Sequence, residues 1–288
     1  MVSCPFGAIA DKSQIFQLIL ALKRGENLIA EVAPAIIGQF GEGATIEKIV
    51  GALKALGFRG VYEVARGADE SALDEANDYA RLVANGELPF LLTSCCPSWS
   101  MLARTQFPET IDKISRTLTP MVATARTIKR HQPEARVVFI GPCAAKKLEA
   151  MRKSVRSDVD FVITFEELSA IFEAKGIRVE ACEGNLSVGE ATGAGRGYAV
   201  AGGVAGAVEA LVHAYHPNIE VKIERAETLR ECRKMLMLAK AGKKRGCLIE
   251  GMACPGGCVG GAGVNLSVEK GTQTVNEFAK NSKKTIPN

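Results

Sequence analysis

The chain of 288 residues carries 36 Lys and Arg against 32 Asp and Glu, a formal charge of +4, and is 47% hydrophobic. Those proportions exclude a disordered chain and leave room for one large domain or two of about 100 to 200 residues each. The dense basic spots, 243–245 and 283–284, are too short for a nucleic-acid-binding tail. No stretch reaches the roughly 18 apolar residues of a membrane helix, and the opening "MVSCPFGAIADK" lacks the apolar centre of a signal peptide. The expected setting is the cytoplasm, with neither nucleic acid nor membrane insertion.

Taken in chain order, the periodicity predicts a helix over 13–23, a strand over 27–32, a helix over 46–56, a strand over 60–64, a helix over 71–84 and a strand over 89–93. A helix over 120–131, strands over 136–140 and 161–165, a helix over 165–174, a strand over 197–201, helices over 205–214 and 227–241 and a strand over 246–249 follow. Thr164 and Thr228 stand where helix N-caps belong. Strands alternating with helices predict an α/β fold with mainly parallel sheets flanked by helices. A division into two lobes is expected near 132–134, giving lobes of roughly 13–133 and 134–288.

Nine cysteines is an odd number, and a chain of this size needs no disulfide staples, so metal binding or catalysis is the better use for them. Cys95 and Cys96 follow the strand "PFLLTS", Cys143 follows "RVVFIGP", and Cys254 and Cys258 follow "CLIEGMA". Ligands of open α/β sheets collect beyond the carboxyl ends of strands, so three separate segments can deliver thiols to one place. Four thiolates suit a tetrahedral zinc or an iron-sulfur cluster. The spacing, singletons plus one C-x-x-x-C with no His131, His213 or His216 beside them, favours iron-sulfur. The glycines at 256, 257, 260, 261 and 263 would let backbone approach a wide cluster. A Gly-rich turn with two buried cysteines is the competing explanation for that segment alone.

Three motifs, "TSCCPSW" (93–99), "PCAAKKLE" (142–149) and "EGMACPGGCVGG" (250–261), resemble in order and spacing the three signatures of the catalytic domain of [FeFe]-hydrogenases. The likeness runs through "VAPA" (32–35), "RGADESALDEA" (66–76) and "AGGVAGAVEA" (201–210) and covers roughly residues 13–265. It implies two lobes with the cofactor, the H-cluster, in the cleft between them. Cys96, Cys143, Cys254 and Cys258 would ligate a 4Fe-4S cluster, Cys258 also bridging to a diiron subcluster that carries CO, cyanide and a dithiolate. Lys146 matches the lysine that meets a cyanide and Met252 a methionine beside the diiron site, with Pro34, Ala35, Pro142 and Ala253 also along the cofactor. Cys95 matches the proton-relay cysteine, with Glu75, Ser115 and Asp78 leading outward; Asp78 stands where the family usually has glutamate.

By the same resemblance the activity would be reversible reduction of protons to H2. The redox partner would be a ferredoxin or a fused or associated iron-sulfur subunit, and maturation proteins would install the diiron part. Gly141, Ala35 and Met121 depart from the family's methionine, serine and glutamine, and the third motif ends Gly260, Gly261, Ala262, Gly263, Val264. These changes are similar to those of sensory or divergent members, so a low-turnover hydrogen sensor is one alternative and a non-catalytic iron-sulfur assembly relative another. "CPFGAI" (4–9) resembles the last cysteine segment of a bacterial-type ferredoxin without its three partner cysteines, so residues 1–12 are expected to be a remnant of such a domain and 13–288 the catalytic domain. Cys182, Cys232 and Cys247 fall in no motif and are expected to be small buried hydrophobes.

Overall fold

A computed structural model describes residues 12–187 and 189–288, so Cys4 and nearly all of the ferredoxin-like segment lie outside the described residues. In chain order the elements are α1 (Ile15–Lys23), β1 (Leu28–Val32), α2 (Ile46–Leu56), β2 (Gly60–Glu63), α3 (Val64–Asp78), β3 (Phe90–Leu92), α4 (Pro97–Gln106), α5 (Pro120–His131), β4 (Arg136–Ile140) and α6 (Ala144–Ala150). Then come β5 (Phe161–Ile163), α7 (Phe165–Ala174), α8 (Gly193–Gly197), α9 (Gly203–Tyr215), β6 (Lys222–Glu227), α10 (Thr228–Lys240), β7 (Cys247–Met252) and α11 (Val268–Lys280). One sheet has the order β2-β1-β4-β5 and the other β3-β7-β6, and every pairing is parallel. The expected α/β fold with helix-flanked parallel sheets is what the chain adopts.

The strands read as near-continuous apolar runs because both sheet faces are covered. On β7, Leu248 joins the cluster formed with Ala68, Ala72, Val204 and Val208, while Ile249 joins Trp99, Ala103 and Leu236 on the other side. Helix α3 packs against α5, α8 and α9. Its small residues permit this: a side chain on Gly67 would collide with the carbonyl of Pro120 and the hydroxyl of Thr124. Local signals agree with the tertiary ones at several ends. Thr164 and Glu167 form a full capping box on α7, and α2 stops at Gly57, whose φ of +113° suits glycine.

Sequence and structure part company in several places. Residues 197–201 are not a strand: α8 ends there, the chain turns into α9, and Val200 makes only an isolated bridge to Gly257. β6 escaped the periodicity because it is an edge strand whose sequence, KIERAE, is mostly solvated. Helices α4, α6 and α11 were not foreseen either. The division near 133 does not coincide with the sheets, since β4 and β5 join β1 and β2, whereas β3 pairs with β7 from the far end of the chain. Parallel pairing needs a crossover, and the crossovers carry the chain from one sheet to the other and back.

Candidate active site

Three parallel strands deliver the motifs to one place. β3 continues through Thr93, Ser94, Cys95 and Cys96 into α4, which starts with Pro97. β4 continues through Gly141, Pro142 and Cys143 into α6, and β7 through Ala253 and Cys254 into a single 3-10 turn, Cys258–Gly260. β3 and β7 belong to one sheet and β4 to the other, so the cavity at their ends lies between the sheets. Cys95, Cys96, Cys143, Cys254, Cys258 and Lys146 all line it. So do Met252, Pro34, Pro142 and Ala253 of the expected cofactor contacts, whereas Ala35 is buried behind the wall. A larger cleft of about 810 Å³ beside Arg66, Asp69 and Arg196 contains no thiol.

The thiols face a common space. Burial pushes Cys254 up to about 11, helped by Cys143 and Cys96, and pushes Cys258 higher still, helped by Cys143, Cys96 and Cys254. Burial also raises Cys143, against the pull of Lys146. Among the described residues no three His, Cys, Asp or Glu side chains converge to hold a single metal ion. Four thiols spread around a cavity suit a cuboidal cluster, in which each corner takes its own ligand, better than one tetrahedral zinc. His131 is engaged with the Thr127 carbonyl and His216 with Asn77. The donor set present therefore fits an iron-sulfur cluster.

Lys146, on the first turn and a half of α6, donates to Glu149 Oε2 (2.7 Å) and to the Cys95 carbonyl (3.3 Å). Burial alone would lower its ammonium, but Glu149, with the neighbouring thiols Cys143 and Cys95, outweighs burial and raises it. Thr119 donates to the other oxygen of Glu149 (2.8 Å). Near this pair, Glu31 on β1 is fully buried with neither oxygen partnered; burial first, then Glu149 and Asp158, push its carboxyl well up against the pull of Lys146. Neither Glu149 nor Glu31 was marked as a site residue by the motifs, and Glu31 sits inside an apolar strand.

Behind Cys95 stands Glu75, 1% exposed, whose Oε1 accepts from the backbone N–H of Ser94 (3.0 Å) and its hydroxyl (3.2 Å). Ser94, absent from the sequence reading, also donates to the Thr117 carbonyl. Ser115 favours the charged form of Glu75 from beyond hydrogen-bond reach, since Glu75 Oε2 has no partner, and accepts the N–H of Thr117. Asp78, one turn further along α3, is half-buried and paired with Arg81 (2.8 Å). Burial raises the Glu75 carboxyl to about 7. A folded value above the unfolded one means that stability is fully present below about 4.5 and is lost as pH climbs to about 7. That loss is on the order of 3 kcal/mol. In Glu75→Gln this part of the pH dependence should vanish, which urea unfolding of the metal-free chain at pH 5 and pH 8 would read; an unchanged difference would contradict the assignment.

The glycine run does two jobs. Gly257 and Gly261 line the cavity, and Gly257 adopts a φ of +91° with the Ala201 backbone pressed against it. Gly256, Gly260 and Gly263 instead let the loop pack on Val268, Pro255 and Thr164, so most of the run serves protein packing rather than cluster approach. Glu227 steadies the loop by accepting the N–H of Gly256 (2.8 Å), and the next residue, Thr228, holds a φ of +66°, unusual for a β-branched residue. Thr228 was expected as the N-cap of α10 but is its first residue, after the N-cap Glu227; its hydroxyl still accepts from Glu231 N (3.4 Å). At Gly141 a side chain would press on the Phe139 ring, which itself lines the cavity, and Met121 fills the wall nearby. Cys232 and Cys247 are buried as expected, whereas Cys182 is half-buried and donates to the Arg178 carbonyl (3.4 Å).

Residues 26–262 match the family model of the iron only hydrogenase large subunit, C-terminal domain. The chain belongs to this family. Iron hydrogenase 1 of Clostridium pasteurianum is 29% identical over 309 residues, covering 90% of this chain and 54% of that protein. The periplasmic [Fe] hydrogenase large subunit of Nitratidesulfovibrio vulgaris is also 29% identical, covering 84% and 70%. Protein NAR1 of Arabidopsis thaliana is 24% identical, covering 88% and 68%. The chain thus spans little more than half the length of the clostridial relative. A solved [FeFe]-hydrogenase of Chlamydomonas reinhardtii shares the fold with a TM-score of 0.76 at 21% identity, over 96% of this chain and 91% of that one. The cytosolic Fe-S cluster assembly factor NAR1 of Kluyveromyces lactis is 36% identical over 81 residues, covering 28% of this chain and 17% of that protein.

Proposed function

We propose that residues 13–288 form an [FeFe]-hydrogenase catalytic domain that interconverts two protons and two electrons with H2. Cys96, Cys143, Cys254 and Cys258 would hold a 4Fe-4S cluster and Cys258 would also reach the diiron subcluster. When bound, this cofactor supplies the electrons and the metal site at which H2 is made or split. The chain's own residues do the rest. Lys146 offers a buried ammonium to an anionic ligand, Met252, Pro34, Pro142 and Ala253 keep water from the cavity, and Cys95 passes a proton between the cavity and Glu75. A carboxyl poised near neutrality both takes and gives a proton cheaply at working pH. Ser115 and Asp78 mark the way outward.

Lys146 carries this reading. A cluster held by thiolates alone needs no ammonium in its wall, yet Lys146 lines the thiol cavity, kept charged by Glu149 and held against the Cys95 carbonyl. We further assign residues 1–12 to the end of a ferredoxin-type segment, the redox partner to a ferredoxin or an iron-sulfur subunit, and the setting to the cytoplasm. No helix among the described residues is long and apolar enough to cross a membrane.

After anaerobic reconstitution without maturation proteins, about four irons per chain are expected, one for each thiolate corner of a cuboidal cluster. After maturation with the diiron precursor, infrared bands of metal-bound CO and cyanide should appear together with H2 evolution from a reduced mediator. Stoichiometric zinc without iron would sink the cluster assignment. Iron with no CO or cyanide bands would favour the assembly-factor reading, which the NAR1 relatives support, and bands with very slow turnover would favour a sensor.

A further inference from the structure

Among the described residues that line the thiol cavity, Tyr198 alone has a buried side-chain oxygen with no hydrogen-bond partner. The residue is 5% exposed and sits in the turn between α8 and α9. That turn is tied on both sides. Glu250 accepts the N–H groups of Gly202 (2.6 Å) and Ala205 (2.7 Å), Ala201 N donates to the Gly256 carbonyl (2.9 Å), and Val259 N donates to that of Ala199 (3.2 Å). The Tyr198 ring is packed in one buried cluster with Ala68 and Met252, and its hydroxyl is shielded from solvent.

The groups that act on this hydroxyl are Glu75, Cys95, Glu250 and Asp69. The oxygens of Glu250 are taken by the two backbone donors above, those of Asp69 by Thr192, and Oε1 of Glu75 by Ser94. Oε2 of Glu75 is open but out of reach of the phenol, as both atoms lack partners. Phenylalanine would fill the same space without burying an unmatched donor. The acceptor must therefore come from whatever the cavity holds.

We propose that Tyr198 donates a hydrogen bond to a terminal, lone-pair-bearing ligand of the cofactor bound in this cavity, as a second donor beside Lys146. The proposal rests on the hydrogenase reading above. Burial, reinforced by the surrounding acidic groups, keeps the phenol protonated, so it offers a donor throughout the working pH range. Unlike an ammonium it brings no charge, so it tunes ligand electron density more than it anchors the cofactor.

The test compares the matured wild-type chain with Tyr198→Phe by iron content and by infrared spectroscopy in the same redox state. The variant is expected to keep its iron and its set of CO and cyanide bands, with at least one band displaced beyond the scatter between preparations. Identical band positions in the two chains would overturn the proposal alone. Loss of iron from the variant would also overturn it, by showing that Tyr198 holds the wall rather than the ligand. Absence of the bands from both chains would overturn the hydrogenase reading, and the proposal with it.

Discussion

Replacing Cys95 with alanine should leave the iron content and the infrared bands of the matured chain intact while H2 turnover falls about 10²-fold or more, the share that a positioned acid-base group contributes. The thiol lines the cavity, and Glu75 lies close enough to raise it, second only to burial. Being raised, it stays protonated near neutrality and can hand a proton on without leaving charge in a dry site. Cys95→Asp, still protonatable, should lose less. Glu75→Gln should show a milder form of the alanine defect, because Ser94 and Ser115 remain. Loss of the cluster in Cys95→Ala would make Cys95 a ligand and overturn the assignment of Cys96; unchanged turnover would send protons by another route.

Replacing Lys146 with methionine should have two separable effects. The substitution strands Glu149, whose side chain is 3% exposed, without its cation, and breaking a buried pair in this way costs about 3–5 kcal/mol. Lys146→Met should therefore unfold at markedly lower urea concentration. Adding Glu149→Gln removes the stranded charge and should recover most of that loss. Neither variant should retain the diiron subcluster, since the ammonium for its anionic ligand is gone, yet both should bind the 4Fe-4S cluster through the unchanged thiols. Normal CO and cyanide bands in the stable double variant would reduce Lys146 to a structural residue.

The strands that carry the thiols were legible in the sequence because each is a buried apolar run followed within three residues by a cysteine: 90–92, 136–140 and 247–252 lie within or overlap the predicted strands. Their convergence followed from the parallel α/β pattern. What the sequence hid depends on contacts between distant segments. Tyr198 sat in a stretch that looked like a strand, because Gly197 to Ala201 is short and apolar, and only the packing of α8 against α9 shows it as a turn. Ser94 and Glu31 carry no local signal at all; one is a serine before a cysteine and the other an acid inside β1, and each acquires meaning from a neighbour far away in sequence. Glu149 was in plain view three residues after Lys146, the spacing at which helical side chains meet. The glycines were expected to let backbone approach a cluster, but at Gly256, Gly260 and Gly263 what approaches is the protein's own Val268, Pro255 and Thr164.

The strand order β3-β7-β6 also bears on how the molecule is made. The middle strand of that sheet is the last of the three to leave the ribosome, and β3, three residues long, has no other partner in the sheet. Until β7 emerges, the segment of Cys95 and Cys96 lacks its only strand partner and is held just by contacts such as those of Ser94 with Glu75 and Thr117, and the nascent chain presents only two of the four proposed ligands, Cys96 and Cys143. Closing the span of about 160 residues between Cys96 and Cys258 sets a folding event of high contact order ahead of metal insertion. On the proposed ligation, cluster loading would then be a step for the finished polypeptide, because a chain ending before Cys258 would lack one of the four thiols.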